Sequence, residues 1–332
     1  MSAVKLKDIA RELDLSVATV SRAISGKGRV GEKTRARVLD AVSKSDYRIN
    51  DVARSLRMKT ARSIGIIVPD ISNGFFSSVI KGVQQRCRQS DYVLVVCNSD
   101  EDPAVEAEML RTLLSKQVSG LVLASVGESR AILKKHSRMD VPIVYIDNMP
   151  QEASGYDSVS IDNFTAARRL TLAMLDRGYR DIGMIAGPMA QSTGILRRRG
   201  FEAALAERGV AARGEWIHEG TFTMESGYLQ MKQILALARM PRAMLFASNY
   251  IAYGAMKAIR EAGLAVPGDI AIAAFDALDS TGLIMPLITS VNQPAQRIGA
   301  QAAEILLDRL NKASDGGRQI ILEPSFVNGD SW

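Results

Sequence analysis

Histidine and cysteine are almost absent from this sequence, with two of each in 332 residues. His136 and His218 are too few for a histidine-rich metal centre and leave a Ser-His-Asp arrangement without support. Cys87 and Cys97 fall in what read as a helix and a strand end, with no CxxC or Cys/His spacing, so they are expected as buried thiols in a reducing compartment. No run of about 18 apolar residues occurs, and the opening MSAVKLKDIA lacks the apolar core of a signal peptide. A soluble, cytoplasmic chain with no membrane partner is expected. The glycine fingerprints GxGxxG and GxxxxGK followed by Ser or Thr are also missing, which disfavours nicotinamide and P-loop nucleotides; no cofactor and no metal are expected.

The composition that remains is globular, 47% hydrophobic and 23% charged, and the length suits two or three domains. Charge is unevenly spread. Residues 1–62 hold 15 Lys and Arg against 7 Asp and Glu, an excess of eight, so within a formal net charge of +6 the remaining 270 residues are negative by two. The basic, partner-seeking region is the N-terminal one.

Within it, KLKDIARELDLSVATVSRAI (5–24) carries apolar residues at Ile9 and Leu13, then at Val17, Val20 and Ile24, which predicts two short amphipathic helices broken at Asp14-Leu15. Ser16 is placed to cap the second. Val17, Val20 and Ile24 would turn inward, leaving Ala18, Thr19, Ser21 and Arg22 outside. The alternative is an ordinary packed helix pair, but a small, polar face free of Asp and Glu suits a DNA major groove, and Arg22 suits a guanine edge. After the Gly26-Lys27-Gly28 turn, residues 32–45 repeat apolar positions at Val38, Leu39 and Val42, a third helix able to close a small core. Residues 47–63 are basic around Val52, Ala53 and Leu56; they read either as a plain linker or as a segment that folds against DNA, with Leu56 as a minor-groove wedge.

From Ser63 onward, apolar runs alternate with helical stretches: IGIIV (64–68), YVLVV (92–96), GLVLA (120–124), PIVYI (142–146), IGMIA (182–186), AMLFA (243–247) and IAIAAF (270–275). Such runs predict parallel sheets covered on both faces, and their span predicts two doubly wound lobes. Ligands in such sheets lie beyond the carboxyl ends of the strands. The residues there include Asp70 to Asn73 with Phe75 and Phe76, Asn98 to Asp100, Ser125, Asp147-Asn148, Asp162-Asn163, Gln191-Ser192, Ser248 to Tyr250, and Asp276. Amides, carboxylates and rings in this mixture suit a polyhydroxylated ligand, although each residue taken singly equally suits a helix cap or a turn. Asp147, Asp162 and Asp276 could supply paired carboxylates for glycoside chemistry, but nothing in the sequence brings them together, and the chain is not expected to be an enzyme.

KDIARELDLSVATVSRAISGKGRVGEKTRARVLDAVSKSDYRIN, VARSLR, IGIIVPDISNGFF, VVCNSDEDP, RRRGFEAAL, AAFD and SVNQPAQRIGAQAAEIL, in this order, resemble the lac repressor/galactose repressor family of bacterial transcription regulators, and the likeness runs from about residue 4 to the C-terminus. The resemblance implies an α/β fold: two doubly wound parallel-sheet lobes like periplasmic binding proteins, preceded by a small all-α helix-turn-helix head. The implied divisions are a head at 1–48, a hinge at 49–62 and a core at 63–332, with the N-lobe about 63–161 plus 293–320 and the C-lobe about 162–292 plus 321–332. It further implies DNA contacts from Ser16, Val17, Ala18, Thr19, Ser21, Arg22 and Arg29, and hinge contacts from Asn50, Ala53 and Leu56. Effector contacts are implied at Ser72, Phe75, Phe76, Asn98, Asp147, Arg197, Phe222, Asn249, Asp276 and Gln293.

The implied partners are operator DNA, a small sugar or sugar-acid effector, and a second copy of the chain, with a tetramer as the alternative. The implied function is a ligand-responsive repressor of a carbohydrate or sugar-acid operon; a DNA-independent sugar sensor and a sugar hydrolase on the same core are the rivals. Three departures stand out: Asn249-Tyr250 replaces the family's Asn-Asp, Asn73-Gly74-Phe75-Phe76 replaces its NPFF, and Ile49 replaces the proline before the hinge asparagine. Loss of an Asp, with Arg197, Arg198 and Arg199 together nearby, tilts the expected effector toward a sugar acid of the 2-ketogluconate type.

Overall fold

The computed structural model describes residues 6–25, 28–45, 62–127, 141–149, 155–277, 285–311 and 316–332. The chain forms two compact units, Met1–Lys59 and Thr60–Trp332. His136 and the expected hinge contacts Asn50, Ala53 and Leu56 lie outside the described residues.

The first unit holds α1 (Leu6–Glu12), α2 (Val17–Ser25) and α3 (Glu32–Lys44). Asp14 adopts φ 52°, which ends α1, and the Leu15 amide donates back to the Ala10 carbonyl at 2.9 Å. Ser16 then caps α2, its Oγ accepting from the Thr19 amide at 3.0 Å. Ile9, Val20 and Val38 are fully buried and form a core with Ala10 and Ala23. Two expected inward residues face out: Val17 is 44% exposed and Leu39 45%. In α2 the buried stripe is Val20, Ala23 and Ile24, and in α3 it is Val38, Ala41 and Val42. Each is an i, i+3, i+4 stripe, which leaves Leu39, one residue on from Val38, about 100° around the helix.

The second unit is built on two six-stranded sheets. The first contains β1 (Ser63–Val68), β2 (Val93–Asn98), β3 (Gly120–Leu123), β4 (Ile143–Ile146), β5 (Asp157–Ile161) and β11 (Gln319–Leu322), in the order β11-β5-β4-β3-β1-β2, all parallel. The second contains β6 (Ile182–Ala186), β7 (Ile217–Glu219), β8 (Ala243–Phe246), β9 (Ala271–Phe275), β10 (Thr289–Asn292) and β12 (Ser325–Val327), in the order β12-β10-β9-β8-β6-β7. The two orders repeat one pattern, except that β12 runs antiparallel to β10. β11 belongs to the first sheet through Leu322, and β12 begins the return to the second at Ser325.

The helices are α4 (Gly74–Gln89), α5 (Pro103–Ser115), α6 (Asn163–Asp176), α7 (Ser192–Glu207), α8 (Met224–Leu235), α9 (Asn249–Glu261) and α10 (Ala295–Asn311). Glycine sets how closely one pair approaches. A Cβ on Gly299 of α10 would lie 2.0 Å from the Val79 carbonyl oxygen of α4, and one on Gly82 of α4 would lie 2.1 Å from that of Gln296. The two backbones touch at that crossing, on the first lobe.

Candidate functional site

At the first turn of α2, Ser16, Val17, Ala18 and Arg22 are exposed, as is Arg29 beyond the helix, while Thr19 and Ser21 are half-buried. Ser16 Oγ and Thr19 Oγ1 lie 2.8 Å apart, which ties both hydroxyls to the cap. Arg22 Nε donates to the Ala18 carbonyl at 3.2 Å. Gly28, at φ +92°, leaves room for this arginine, because a Cβ there would sit 3.0 Å from Arg22 Cδ. No acidic side chain occurs in α2, so the face is cationic and hydroxyl-bearing.

In the second unit a cavity opens between the lobes, about 450 Å³ with its mouth. Its floor is Arg197 on α7, 3% exposed. Arg197 Nε donates to Asn163 Oδ1 at 2.8 Å and Nη1 to the Ala247 carbonyl at 2.6 Å, and its guanidinium carbon stands 4.2 Å over the Phe275 ring. The third nitrogen, Nη2, faces Asp147 Oδ1 at 4.0 Å. Asp147 and Asp276 follow β4 and β9, equivalent strands in the two lobes, and both take left-handed backbone, φ 57° and 55°.

Gln293 spans the two carboxylates. Its Nε2 donates to Asp276 Oδ2 at 2.8 Å and to Asp147 Oδ1 at 3.3 Å, while its amide donates to Asp276 Oδ1 at 2.8 Å. Burial pushes both carboxyl pKa values up, and Arg197 opposes the shift. Burial pushes Arg197 down against the pull of Asp276 and Asp147.

The walls are amides and rings. Asn73 caps α4, and across the cleft its side chain exchanges hydrogen bonds with Asn249, at 3.3 and 3.0 Å. Phe75 and Phe76 meet edge to face at 4.9 Å. Phe222 fits because Gly187 carries no side chain: a Cβ there would lie 2.1 Å from the ring. Glu101 Oε2 accepts from Gln191 Nε2 at 3.2 Å. Lower in the cleft, Asn148 Oδ1 accepts from both the amide and the hydroxyl of Ser192 at 2.7 Å, and Asn148 Nδ2 donates to the Ser125 carbonyl. Among the described residues, Thr193 Oγ1 and Gln293 Oε1 are buried on this wall with no hydrogen-bond partner.

A polar cavity between two lobes and a groove-sized helical face in the other unit match one family along the chain. The sequence profile of the bacterial regulatory proteins, lacI family, matches residues 5–54, and that of the periplasmic binding proteins and sugar binding domain of LacI family matches residues 61–328. The chain belongs to the LacI family. It is 32% identical over 326 residues to the ribose operon repressor of Haemophilus influenzae, covering 98% of each chain. It is 34% identical over 326 residues to the HTH-type transcriptional repressor PurR of Pectobacterium carotovorum, covering 97% of this chain and 95% of that one. Its fold overlays the crystal structure of the lac repressor dimer bound to operator and the anti-inducer ONPF with a TM-score of 0.87 at 26% identity, covering 99% of both. As a LacI-family protein it is a ligand-responsive, DNA-binding transcriptional repressor and not an enzyme. The repressors of this family bind operator DNA and small effectors as dimers.

Of the ten effector positions expected from the sequence, eight line the LacI-type cavity: Phe75, Phe76, Asp147, Arg197, Phe222, Asn249, Asp276 and Gln293. Two stand off it. Ser72 is exposed and bonds Asp70 and Tyr250, and Asn98 holds the turn after β1 by accepting from the Ile71 amide at 2.8 Å. Asp162 is a cap for the Thr165 amide, not a cavity carboxylate. The cluster of three arginines dissolves: Arg198 pairs with Glu202 at 2.8 Å and Arg199 is exposed, so of the three only Arg197 lines the cavity, where it faces Asp147 and Asp276. Arg198 and Arg199 therefore add no charge to the cavity. Glu101 and Thr193 were not anticipated. Thr193 gives no signal inside the first turn of α7, whereas Glu101 stands one residue beyond the strand-end run Asn98 to Asp100.

Proposed function

We propose that this repressor reads its operator with the first turn of α2 and takes a small polyhydroxylated molecule of the sugar class into the cavity. Ser16, Thr19, Ser21 and Arg29 anchor the duplex, Val17 and Ala18 set base preference, and Arg22 meets a guanine edge. The segment 49–62, with Asn50, Ala53 and Leu56, is the hinge that orders on DNA, and two copies of the head bind the two halves of a palindrome. The effector contacts are Phe75, Phe76, Asp147, Arg197, Phe222, Asn249, Asp276 and Gln293. The observation that carries this reading is the Arg197-Asp147-Asp276-Gln293 group at the junction of the lobes, bordered by rings and by unpaired polar atoms. Carboxylates and amides bind paired hydroxyls, and rings cover C–H faces. The ligand changes the fit of the lobes to one another, and the hinge passes that change to the heads. Gel shifts on the DNA flanking the gene, across a salt series and with neutral sugars and sugar acids added, test it. Sequence-selective, salt-sensitive binding that changes with a sugar is the expected result; binding indifferent to every sugar and acid removes the effector assignment.

A further inference from the structure

Most of the nitrogen groups that line the cavity are already bonded within the protein. Two of the three Arg197 nitrogens are bonded to Asn163 and Ala247, the Asn73 and Asn249 amides satisfy one another, Gln191 Nε2 is held by Glu101, and Gln293 Nε2 by Asp276. Among the described residues, Gln293 Oε1 and Thr193 Oγ1 are buried at the cavity with no partner, and the carboxyl groups of Glu101, Asp147 and Asp276 line it while accepting from Gln191 and Gln293. Asp147 and Asp276 share the single charge of Arg197, and Glu101 adds a further carboxyl to a wall that is already acidic.

Glu101 is aimed there by its loop. Asp100 and Glu101 both take left-handed backbone, φ 53° and 57°, between β2 and α5. The loop is pinned at either end, by the Ser99 amide on the Val68 carbonyl and by Asp102, which caps α5 through the Ala104 amide at 2.7 Å. The carboxyl therefore reaches Gln191 of the opposite lobe.

We propose that Glu101 sets the charge of the effector, admitting at this wall a ligand that presents a hydroxyl and refusing one that presents a carboxylate. The proposal rests on the sugar-class reading above and goes beyond it by excluding acids and naming the residue that does so. The groups facing Glu101 are Asp70 after β1, Asp147 after β4, Glu106 on α5 and Gln191 before α7, with Arg197 and Asp276 across the same cavity. Burial first, then repulsion from Asp147, Asp70 and Glu106, pushes its pKa up to about 7 against the hydrogen bond from Gln191. Above pH 7 the carboxylate repels an acid; below it the protonated carboxyl donates to one. A hydroxyl is accepted in either state.

The test is calorimetric titration of the full chain with D-ribose, D-glucose and D-galactose beside D-ribonate, D-glucuronate and D-galacturonate, at pH 6 and pH 8. In the wild type a neutral sugar is expected to bind at both pH values with little change, while the affinity of its acid falls about tenfold from pH 6 to pH 8, the loss set by a pKa of about 7. Glu101→Gln should accept the acid equally at both pH values, and Glu101→Asp, checked for fold by circular dichroism, should keep the wild-type exclusion. A wild-type preference for an acid at pH 8, or a Glu101→Gln profile identical to wild type, overturns the proposal while leaving the sugar-class reading intact. Failure of all six compounds to bind a protein that still binds DNA sinks that reading and this proposal with it.

Discussion

At the scale of single residues, Arg197 carries the heaviest structural and functional burden in the core. It is the cation shared by two buried carboxyl groups and stands over Phe275, so its removal leaves Asp147 and Asp276 near one another without a cation. Arg197→Ala is expected to destabilise the core by about 3 kcal/mol, read by denaturant melts, and to abolish the effector response. A variant as stable as wild type would mean that the carboxylates find another partner.

Glu101 makes the opposite contribution. Its pKa in the fold, about 7, lies above the ordinary carboxyl value, so the fold favours the protonated form. The stability this gives is complete below about pH 4.5 and is lost as pH rises through 7. Glu101→Gln should thus leave stability unchanged at pH 5 and raise it by about 2 kcal/mol at pH 8. Equal melts at both pH values would contradict the buried carboxyl. Arg197 and Asp276 were legible in RRRG and AAFD, because a family motif marks them. Glu101 was not, because three consecutive acidic residues read as a solvated loop, and only the backbone turn at Asp100 separates a surface carboxylate from a half-buried one at the cavity.

At the scale of elements, the seven apolar runs became β1 to β4, β6, β8 and β9 to within two residues at either end. The five remaining strands were hidden for physical reasons. β5 (DSVSI) and β10 (TSVN) are polar in sequence yet wholly buried in the sheets, a combination that hydropathy reads as a loop. Neighbours supply what their polar groups need: Ser331 Oγ accepts from the Thr289 amide at 2.8 Å and donates to the Ile272 carbonyl at 2.7 Å, and Asp157 receives two bonds from Arg309 at 2.7 Å. Such support comes from residues distant in sequence and leaves no local pattern. β7 and β12, at three residues each, are too short to show a period, and β11 is an edge strand with Gln319 and Ile321 exposed, without the fully buried run of β3 or β8. The α4–α10 crossing carries a test at this scale. Gly299→Ala forces a methyl group against the Val79 carbonyl, 2.0 Å away, and the helices must part. A loss of about 2 kcal/mol or more is expected in thermal or denaturant unfolding. Gly31→Ala, where nothing lies within 4 Å of the added Cβ, should cost far less; similar losses at both sites would show that the crossing is loose.

At the scale of the whole molecule, the two units answer to different physics. Among the described residues, Met1–Lys59 has a core of five buried side chains, and its sequence has an excess of positive charge, whereas Thr60–Trp332 has three buried clusters of its own and is near neutrality. A core that small supports only marginal stability, so the head depends on the larger unit for its concentration near DNA and for pairing with a second head. The larger unit, in turn, carries no net positive charge to attract a duplex. A fragment spanning 60–332 should therefore fold and be stabilised by the effector sugar in a thermal-shift assay, yet show no DNA binding even at low salt. The full chain should bind, with an affinity that falls about a thousandfold or more between 50 and 200 mM salt as several phosphates are neutralised at once. Within that chain Arg22→Ala should reduce operator binding by one to two orders of magnitude, about 1–3 kcal/mol, while random DNA is bound almost as before, because a base contact is lost and the phosphate contacts stay. Equal losses on both DNAs would move Arg22 from the base edges to the backbone. DNA binding by the 60–332 fragment would place the nucleic-acid face outside the helical head altogether.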